Sequence, residues 1–377
     1  MALTTIQTNN KLIKFTKQVN REWVRENLFA PYMGEDITAI IRKRMDLTSG
    51  GEQMNIPLVA RLGATAIGSG ALAGNEESID NYGMRVWIDW ARNAIKTNKA
   101  EKQKDSSAIF DVARPLLSDW LKELNRDEII QAFYALPTES APAGLGSAAG
   151  QRVNGVLFDA ATAAQRNTWV VDNADRVVFG ALNSNYSATF ATATATLDST
   201  NDIANAANMR FLKRVARAAN PKIRPFKLKD GKEYFVAFHG SRTFRDLKTD
   251  LETINKDARP REVGKNPIFQ DGDLLDDGVI HREIPEIDTR APTFYTTAGA
   301  SGTTEVRPVW LCGQSAMVMA YGQMAKPTQL DNTDYGFNQG VGIETAYGVG
   351  KMFKKTKTGL LKEWGVATGF FAAAADS

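Results

Sequence analysis

The stretch from Asp105 to Leu136 carries the longest helical pattern in the sequence. Its apolar side chains recur at steps of three and four, which places them on one side of a helix of 3.6 residues per turn. Pro137 ends the pattern, and Pro115 inside it predicts either a kink or a helix start just before it. About 20 residues of helix span roughly 30 Å. We therefore expect the rest of the chain to be arranged around this element, which we call the spine helix.

Residues 1–50 are predicted to form an extended arm with two short helices. The first helix would place Phe15, Val19, Trp23 and Leu28 on one side. The second would begin at Glu35 and end in the basic run at Arg44, in the charge order that the helix dipole favours. The apolar face of the arm is too small to fold alone, so we expect it to lie on another surface.

Residues 51–104 carry a strand pattern. Apolar and polar residues alternate from Met54 to Leu58 and again from Met84 to Trp90, with a glycine- and alanine-rich stretch between them. This predicts a long two-stranded β-loop with a flexible tip. A hairpin of this length is marginal alone. The pattern leaves open whether it rests on its own domain or on a neighbouring surface.

The remainder predicts a mixture of helices and strands. Residues 137–202 are rich in small and turn-forming residues and read as a loop-rich insertion, with a loop or edge strand at 188–200. A helix is predicted at 203–219, and a strand followed by a helix at 233–255. Further strands are predicted at 278–287, 306–313 and 335–353, with a helix or turn-rich apolar segment at 314–324.

Size and charge restrict the class of protein. The chain has 377 residues, 43% of them hydrophobic, which is enough for two or three domains with a sizeable core. Its net charge of +3 is too small to indicate sequence-specific nucleic-acid binding. The basic residues between Arg85 and Lys104 could still face DNA phosphates or an acidic neighbouring surface. The single cysteine, Cys312, favours folding in a reducing cytoplasm. No signal peptide or membrane span is expected.

Chemical motifs are largely missing from the sequence. Two histidines 42 positions apart and one cysteine give no zinc-ligand spacing. The acidic run Asp271, Asp273, Asp276 and Asp277 lacks the calcium-loop pattern and is predicted to be a solvated turn. His239, Ser241 and Asp246 lie close together, yet no nucleophile elbow surrounds the serine, which reads as a helix cap. The glycine-rich stretch at 340–351 fits neither a phosphate-binding nor a dinucleotide-binding loop. We therefore expect no catalytic residue, metal or cofactor.

The order of the parts resembles the major capsid (major head) protein of tailed bacteriophages, whose fold is shared with the floor of herpesvirus capsids. Six stretches carry a similarity to the N-four-like podovirus capsid protein family. They are REWVRENLFAPYMGED, ALAGNEESID, FDVARPLLSDWL, KEYFVAFHGSRTFRDLKTD, VRPVWLCGQSAMVMAYG and DYGFNQGVGIETAYGVGKMF. The resemblance covers most of the chain and is weakest over 137–202.

The resemblance implies an α+β capsid fold with five parts. These are an N-terminal arm (1–50), an extended β-loop (51–104), a peripheral domain (105–221) with the spine helix (105–136) and the insertion (137–202), an axial domain (222–330) and a return to the peripheral domain (331–377). It also implies assembly with copies of itself, as pentamers and hexamers, into an icosahedral shell around double-stranded DNA, within the host cytoplasm. Scaffold, portal and decoration proteins are further partners that it implies, with non-specific contact to the packaged DNA.

Two other functions are weighed against this one. An enzyme with a site around His239 and Asp246 would be a monomer or small oligomer, and a DNA-packaging binder would hold duplex DNA tightly and salt-sensitively. For the shell protein, the residues predicted to contact neighbouring subunits are the arm anchors Trp23 and Phe29 and the loop-tip residues. The loop-tip residues are Gly74, Asn75, Glu76 and Glu77.

Overall fold

The computed structural model describes residues 22, 24–104, 112–227, 233–257, 273–330 and 334–375. Trp23, the first predicted arm helix up to residue 21 and the start of the spine helix at 105–111 lie outside the described residues. The helices are α1 Lys99–Lys104, α2 Ala113–Tyr134, α3 Ala163–Asp172, α4 Phe190–Thr194, α5 Ala206–Ala218, α6 Ser241–Asp257 and α7 Glu286–Thr289.

The strands are β1 Met33–Gly34, β2 Ile41–Arg44, β3 Gln53–Val59, β4 Asn81–Trp87, β5 Asp89–Asn98, β6 Val177–Phe179, β7 Phe226–Lys227, β8 Glu233–His239, β9 Asp273–Asp276, β10 Val279–Glu283, β11 Val306–Cys312, β12 Met317–Gln329, β13 Asn338–Lys351, β14 Phe353–Lys355, β15 Leu361–Glu363 and β16 Val366–Ala372.

The chain divides into two compact units. The described parts of the smaller unit lie within Met1–Asn27, Ala91–Asn125 and Met324–Thr345, and the larger unit comprises Leu28–Trp90, Arg126–Gln323 and Ala346–Ser377. In the smaller unit, the backbone of Lys99 donates to the carbonyl of Phe337. The division into arm, loop, peripheral and axial domains remains a prediction, because the two compact units do not correspond to these parts.

The core of the larger unit is a mixed sheet of order β6-β16-β11-β8-β10-β9, with β7 also paired to β8. Successive side chains on a strand point to opposite faces. On β11, Val309 and Leu311 pack in the cluster formed with α5 and α6. Trp310, between them, stacks at 4.9 Å on Phe133 of α2. The sheet is therefore covered by apolar side chains on both faces.

The spine helix begins later than its pattern suggests within the described residues. α2 starts at Ala113, which places Pro115 in its first turn, where the missing N–H costs no helical hydrogen bond. In its last turn, Ala132, Phe133 and Tyr134 are buried. The alternative of a start just before the proline is thus the one that the structure adopts.

Two segments contain strands where a helix, or for 314–324 a helix or turn-rich apolar segment, was predicted. The run from Glu35 to Arg44 contains β2, and the segment at 314–324 opens β12. The two strands pair in parallel, with Ile41 opposite Met317 and Arg44 opposite Ala320. Ile41 and Met317 are fully buried. Alanine and methionine favour helices locally, and pairing with burial outweighs that preference here.

The segment at 137–202 is more structured than its composition predicts. Its strand β6 pairs in parallel with β16 and so forms an edge of the main sheet. At 188–200, where a loop or edge strand was expected, the chain forms the short helix α4, anchored by the buried Phe190. The segment is therefore an integral part of the core.

Strand β13 confirms the interpretation of the glycine-rich stretch as a closely packed strand. A Cβ atom added at Gly348 would lie 1.9 Å from the carbonyl oxygen of Trp87, and one at Gly350 would lie 2.8 Å from Cβ of Asn154. Neither distance leaves room for a side chain. These glycines permit close approach of backbones and do not form a phosphate cradle.

Candidate functional site

The predicted β-loop is present in the structure. Strands β3 and β4 pair antiparallel over seven residues each, from Gln53 opposite Trp87 to Val59 opposite Asn81. The inner face of this hairpin is buried on its own unit, in a cluster with Val318, Met352 and Phe353. The stem thus rests on its own chain, while residues 61–79 between the strands are exposed to solvent. We call residues 60–80 the extended loop.

The extended loop exposes large apolar side chains. Leu62 is 62% exposed, Leu72 64% and Ile79 65%. Such side chains scattered singly are ordinary, but three on one loop form surface that gains free energy when it is covered. No other part of the larger unit covers them in the described residues.

Hydrogen bonds within the loop give it a defined shape. The backbone N–H groups of Gly63 and Ala64 donate to the carboxylate of Glu77 at 2.8 Å each. These two bonds hold the pKa of Glu77 below its usual range. At the tip, Asn75 N–H donates to the carbonyl of Leu72 at 3.0 Å, and Gly74 adopts a positive φ of 87° that favours glycine. The two limbs of the loop are thereby joined.

The predicted contact residues of the loop therefore lie together. Gly74, Asn75 and Glu76 form the exposed turn, where Gly74 N–H donates to the Glu76 carboxylate at 2.8 Å. Glu77 contacts its own loop. Their contact with a neighbouring subunit stays a prediction.

Phe29 occupies a different environment from the one predicted. Its side chain is fully buried, with ring centroids 5.0 Å from Phe238 and 5.9 Å from Phe133. It anchors this part of the arm to the core of its own chain. Because no part of its side chain reaches the surface, Phe29 is not available to a neighbouring subunit in this structure.

The base of the extended loop is held by charged residues. Lys354 pairs with Asp80, and Lys355 Nζ lies 2.5 Å from Glu139 Oε2. Tyr82 donates to the other oxygen of Glu139 at 3.2 Å. Burial and the nearby carboxylate raise the pKa of the Tyr82 phenol. The sequence did not indicate the two lysine pairs because the members of each are separated by more than 200 residues.

The alternative enzyme site is not assembled. His239 and His281 are buried and joined by one hydrogen bond, Nε2 to Nδ1, of 2.9 Å. Ser241 donates to Glu283 at 2.7 Å, and Asp246 accepts from Arg245. The histidine pair, the serine and the aspartate each have other partners, so they do not form a proton relay.

The acidic run is engaged in ion pairs where the structure describes it. Asp276 pairs with Arg210 at 2.9 Å and Asp277 with Lys213 at 3.0 Å. Asp271 lies outside the described residues. Among the described side chains, no group of three or more His, Cys, Asp or Glu is placed to hold a metal ion. Nor does any described helix have the length and apolar character needed to cross a membrane.

Comparison with known proteins identifies the class. The model of the phage capsid protein family matches residues 4–368. The chain in the cyanophage Pam1 capsid asymmetric unit is 35% identical, with all of both chains covered and a TM-score of 0.85. The capsid of Ralstonia phage GP4 is 17% identical over all of both chains, with a TM-score of 0.69.

The head structure of Helicobacter pylori bacteriophage KHP40 is 14% identical, covering 97% of this chain and 96% of that chain, with a TM-score of 0.63. Comparison with curated proteins gives no match.

Fold and site together define a structural shell subunit, and the predicted α+β capsid fold is confirmed. The chain belongs to the phage capsid protein family. It is a structural component of the virion and associates with copies of itself in a shell.

Proposed function

We propose that the protein is the major capsid subunit that assembles as pentamers and hexamers into an icosahedral shell around double-stranded DNA. The observation that carries the proposal is the extended loop, which is ordered by its own hydrogen bonds yet exposes Leu62, Leu72 and Ile79. A neighbouring subunit that covers these side chains removes apolar surface from water. Head-to-tail contacts of this kind close into rings.

In this proposal the tip residues Gly74, Asn75 and Glu76 contact the next subunit, and Glu77 shapes the loop that carries them. Trp23 is proposed as a second contact, in the arm. The arm, β-loop, peripheral and axial domains keep the boundaries given above. Support for these roles comes from membership of the capsid family and from the exposure of the loop.

Assembly is proposed to take place in the bacterial cytoplasm, with scaffold, portal and decoration proteins as additional partners. Contact with packaged DNA would be independent of sequence, because phosphates attract any suitably placed lysine or arginine. The net charge of +3 fits such weak contact better than tight binding by the free subunit.

The test is removal of residues 70–79, which leaves Asp80 and its pair with Lys354 in place. Since this segment is exposed, the shortened chain should remain folded and soluble, and we expect it to form no shells. Electron microscopy with light scattering on the same fraction measures particles, and circular dichroism measures folding. The parent chain, co-expressed with the neighbouring phage genes, is the control. Normal particles from the shortened chain would show that the loop does not join subunits.

A further inference from the structure

Strand β14 and the turn after it place three lysines along the base of the extended loop. Lys354 pairs with Asp80 at the last residue of the loop. Lys355 pairs with Glu139, which also accepts from Tyr82 of β4. Lys357 reaches the hydroxyl of Ser78 at 3.2 Å. All of these groups belong to the larger unit.

The three contacts differ in strength because they differ in exposure. The side chain of Lys354 is 3% exposed, so its charge has lost nearly all contact with water and depends on Asp80 for compensation. The Lys355–Glu139 pair is largely exposed, where an ion pair contributes little. Lys357 is exposed; it donates to the neutral hydroxyl of Ser78 and attracts the exposed Glu77 carboxylate, an interaction that water screens. The Lys354–Asp80 pair is therefore the contact that costs the most free energy to break.

The backbone alone does not fix the direction of the loop. The ladder of β3 and β4 ends at Val59 and Asn81, with one further hydrogen bond from Ala60 N–H to the Asp80 carbonyl. Beyond that bond, the Glu77 contacts join one limb to the other but attach neither to the rest of the unit. Asp80 stands at the junction, where its bond to the buried Lys354 acts on the whole loop, with the exposed Lys357–Ser78 contact beside it.

We propose that the Lys354–Asp80 pair is a latch that sets the angle of the extended loop on its own subunit before a neighbour binds. A loop already aimed at its partner loses less conformational freedom on association, so assembly gains from the latch. The proposal rests on the proposed role of the loop in joining subunits. The fixed loop angle that it proposes is a property of the single subunit.

The test measures the loop angle in the unassembled full-length chain. Nitroxide labels are placed on Ser69→Cys in the loop and Ser184→Cys on the larger unit, both exposed positions. Cys312 is buried and stays unlabelled. Double electron–electron resonance then gives the distribution of distances between the labels. The parent should give one narrow peak.

Lys354→Met and Asp80→Asn should each lose the narrow peak in favour of a broad distribution. Lys357→Met, which removes a lysine at the same loop base, is the matched control and should keep the peak. An unchanged peak in Asp80→Asn would overturn the latch. If Lys354→Met fails to fold by circular dichroism, Asp80→Asn decides alone, since its side chain is partly exposed.

This result is separable from the proposed function. The distance measurement uses single subunits and does not depend on shells, whereas the 70–79 deletion reports shells and leaves both residues of the latch, Lys354 and Asp80, in place. A broad distribution in the parent would overturn the latch and leave the joining role intact.

Discussion

At the scale of single residues, the buried histidine pair has a property that sequence could not show. Each ring has one nitrogen in the shared hydrogen bond, and the other nitrogens, Nδ1 of His239 and Nε2 of His281, have no hydrogen-bond partner among the described residues. Burial lowers the pKa of His281 to about 4 and, together with the adjacent His281 ring, lowers the pKa of His239. Asp276 opposes the shift at His281. Both rings are therefore neutral in the folded chain at neutral pH.

This predicts acid sensitivity of the subunit. An unfolded histidine has a pKa near 6.5, so the unfolded chain binds protons first as the pH falls. Stability contributed by the neutral pair is complete above about pH 6.5. It declines toward pH 4, by roughly 3 kcal/mol for His281 alone. Urea denaturation between pH 7 and pH 5 measures the decline. The double variant His239→Leu, His281→Leu should lose this part of the pH dependence, and an identical slope in both proteins would contradict the prediction.

At the scale of elements, the hairpin of β3 and β4 divides into a stem that packs on its own unit and a loop that is exposed to solvent. In the stem, Met84 and Val86 are fully buried against the unit that carries them. The loop beyond the stem is exposed. The alternating pattern left open whether the hairpin rests on its own domain or on a neighbouring surface. The stem rests on its own unit, and contact of the loop with a neighbour stays a prediction.

The division predicts opposite responses to truncation. Met84→Ala leaves a cavity in the stem and should lower the free energy of unfolding by about 2–5 kcal/mol. Leu62→Ala, in the exposed loop, should change it by less than about 0.5 kcal/mol. Denaturant titration of the unassembled chain compares the two. Equal effects would mean that the loop is packed in solution.

Prediction of secondary structure from the sequence was most accurate where the apolar residues recurred with a single strand or helix period. The alternation around Met84 and the helical steps near Trp120 each gave the correct element, because the buried face alone decides the structure there. It failed at β2 and β12, whose strand form depends on each other across more than 270 residues. It failed for Phe29 for the same reason, since Phe133 and Phe238 that bury it are remote in sequence.

At the scale of the whole molecule, the chain belongs to a capsid family, so we expect neighbouring subunits to cover the exposed apolar surface of the loop when they assemble. Covering Leu72 and Ile79 fully would contribute about 3–6 kcal/mol to each contact between subunits, at about 1.5–3 kcal/mol for each side chain. A shell repeats every contact many times. Small losses per contact are therefore multiplied across the particle.

The variant Leu72→Asp, Ile79→Asp should consequently fold normally and form no particles. Both side chains are mainly exposed in the single chain, so its thermal stability should change little. Ser69→Asp adds a charge to the same loop without removing apolar surface and is the matched control. Particle yield by sedimentation measures the effect. Full yield from the double variant would place the joining contacts elsewhere on the molecule.

The close contact at Gly348 has a genetic consequence. Any missense change at a glycine codon adds at least a Cβ atom, and here that atom would meet the carbonyl of Trp87 at 1.9 Å. No milder allele exists at this codon, in contrast to a leucine codon that can mutate to methionine. A phage carrying such a change would be recovered as a conditional-lethal mutant or not at all. Its revertants would arise by restoring glycine.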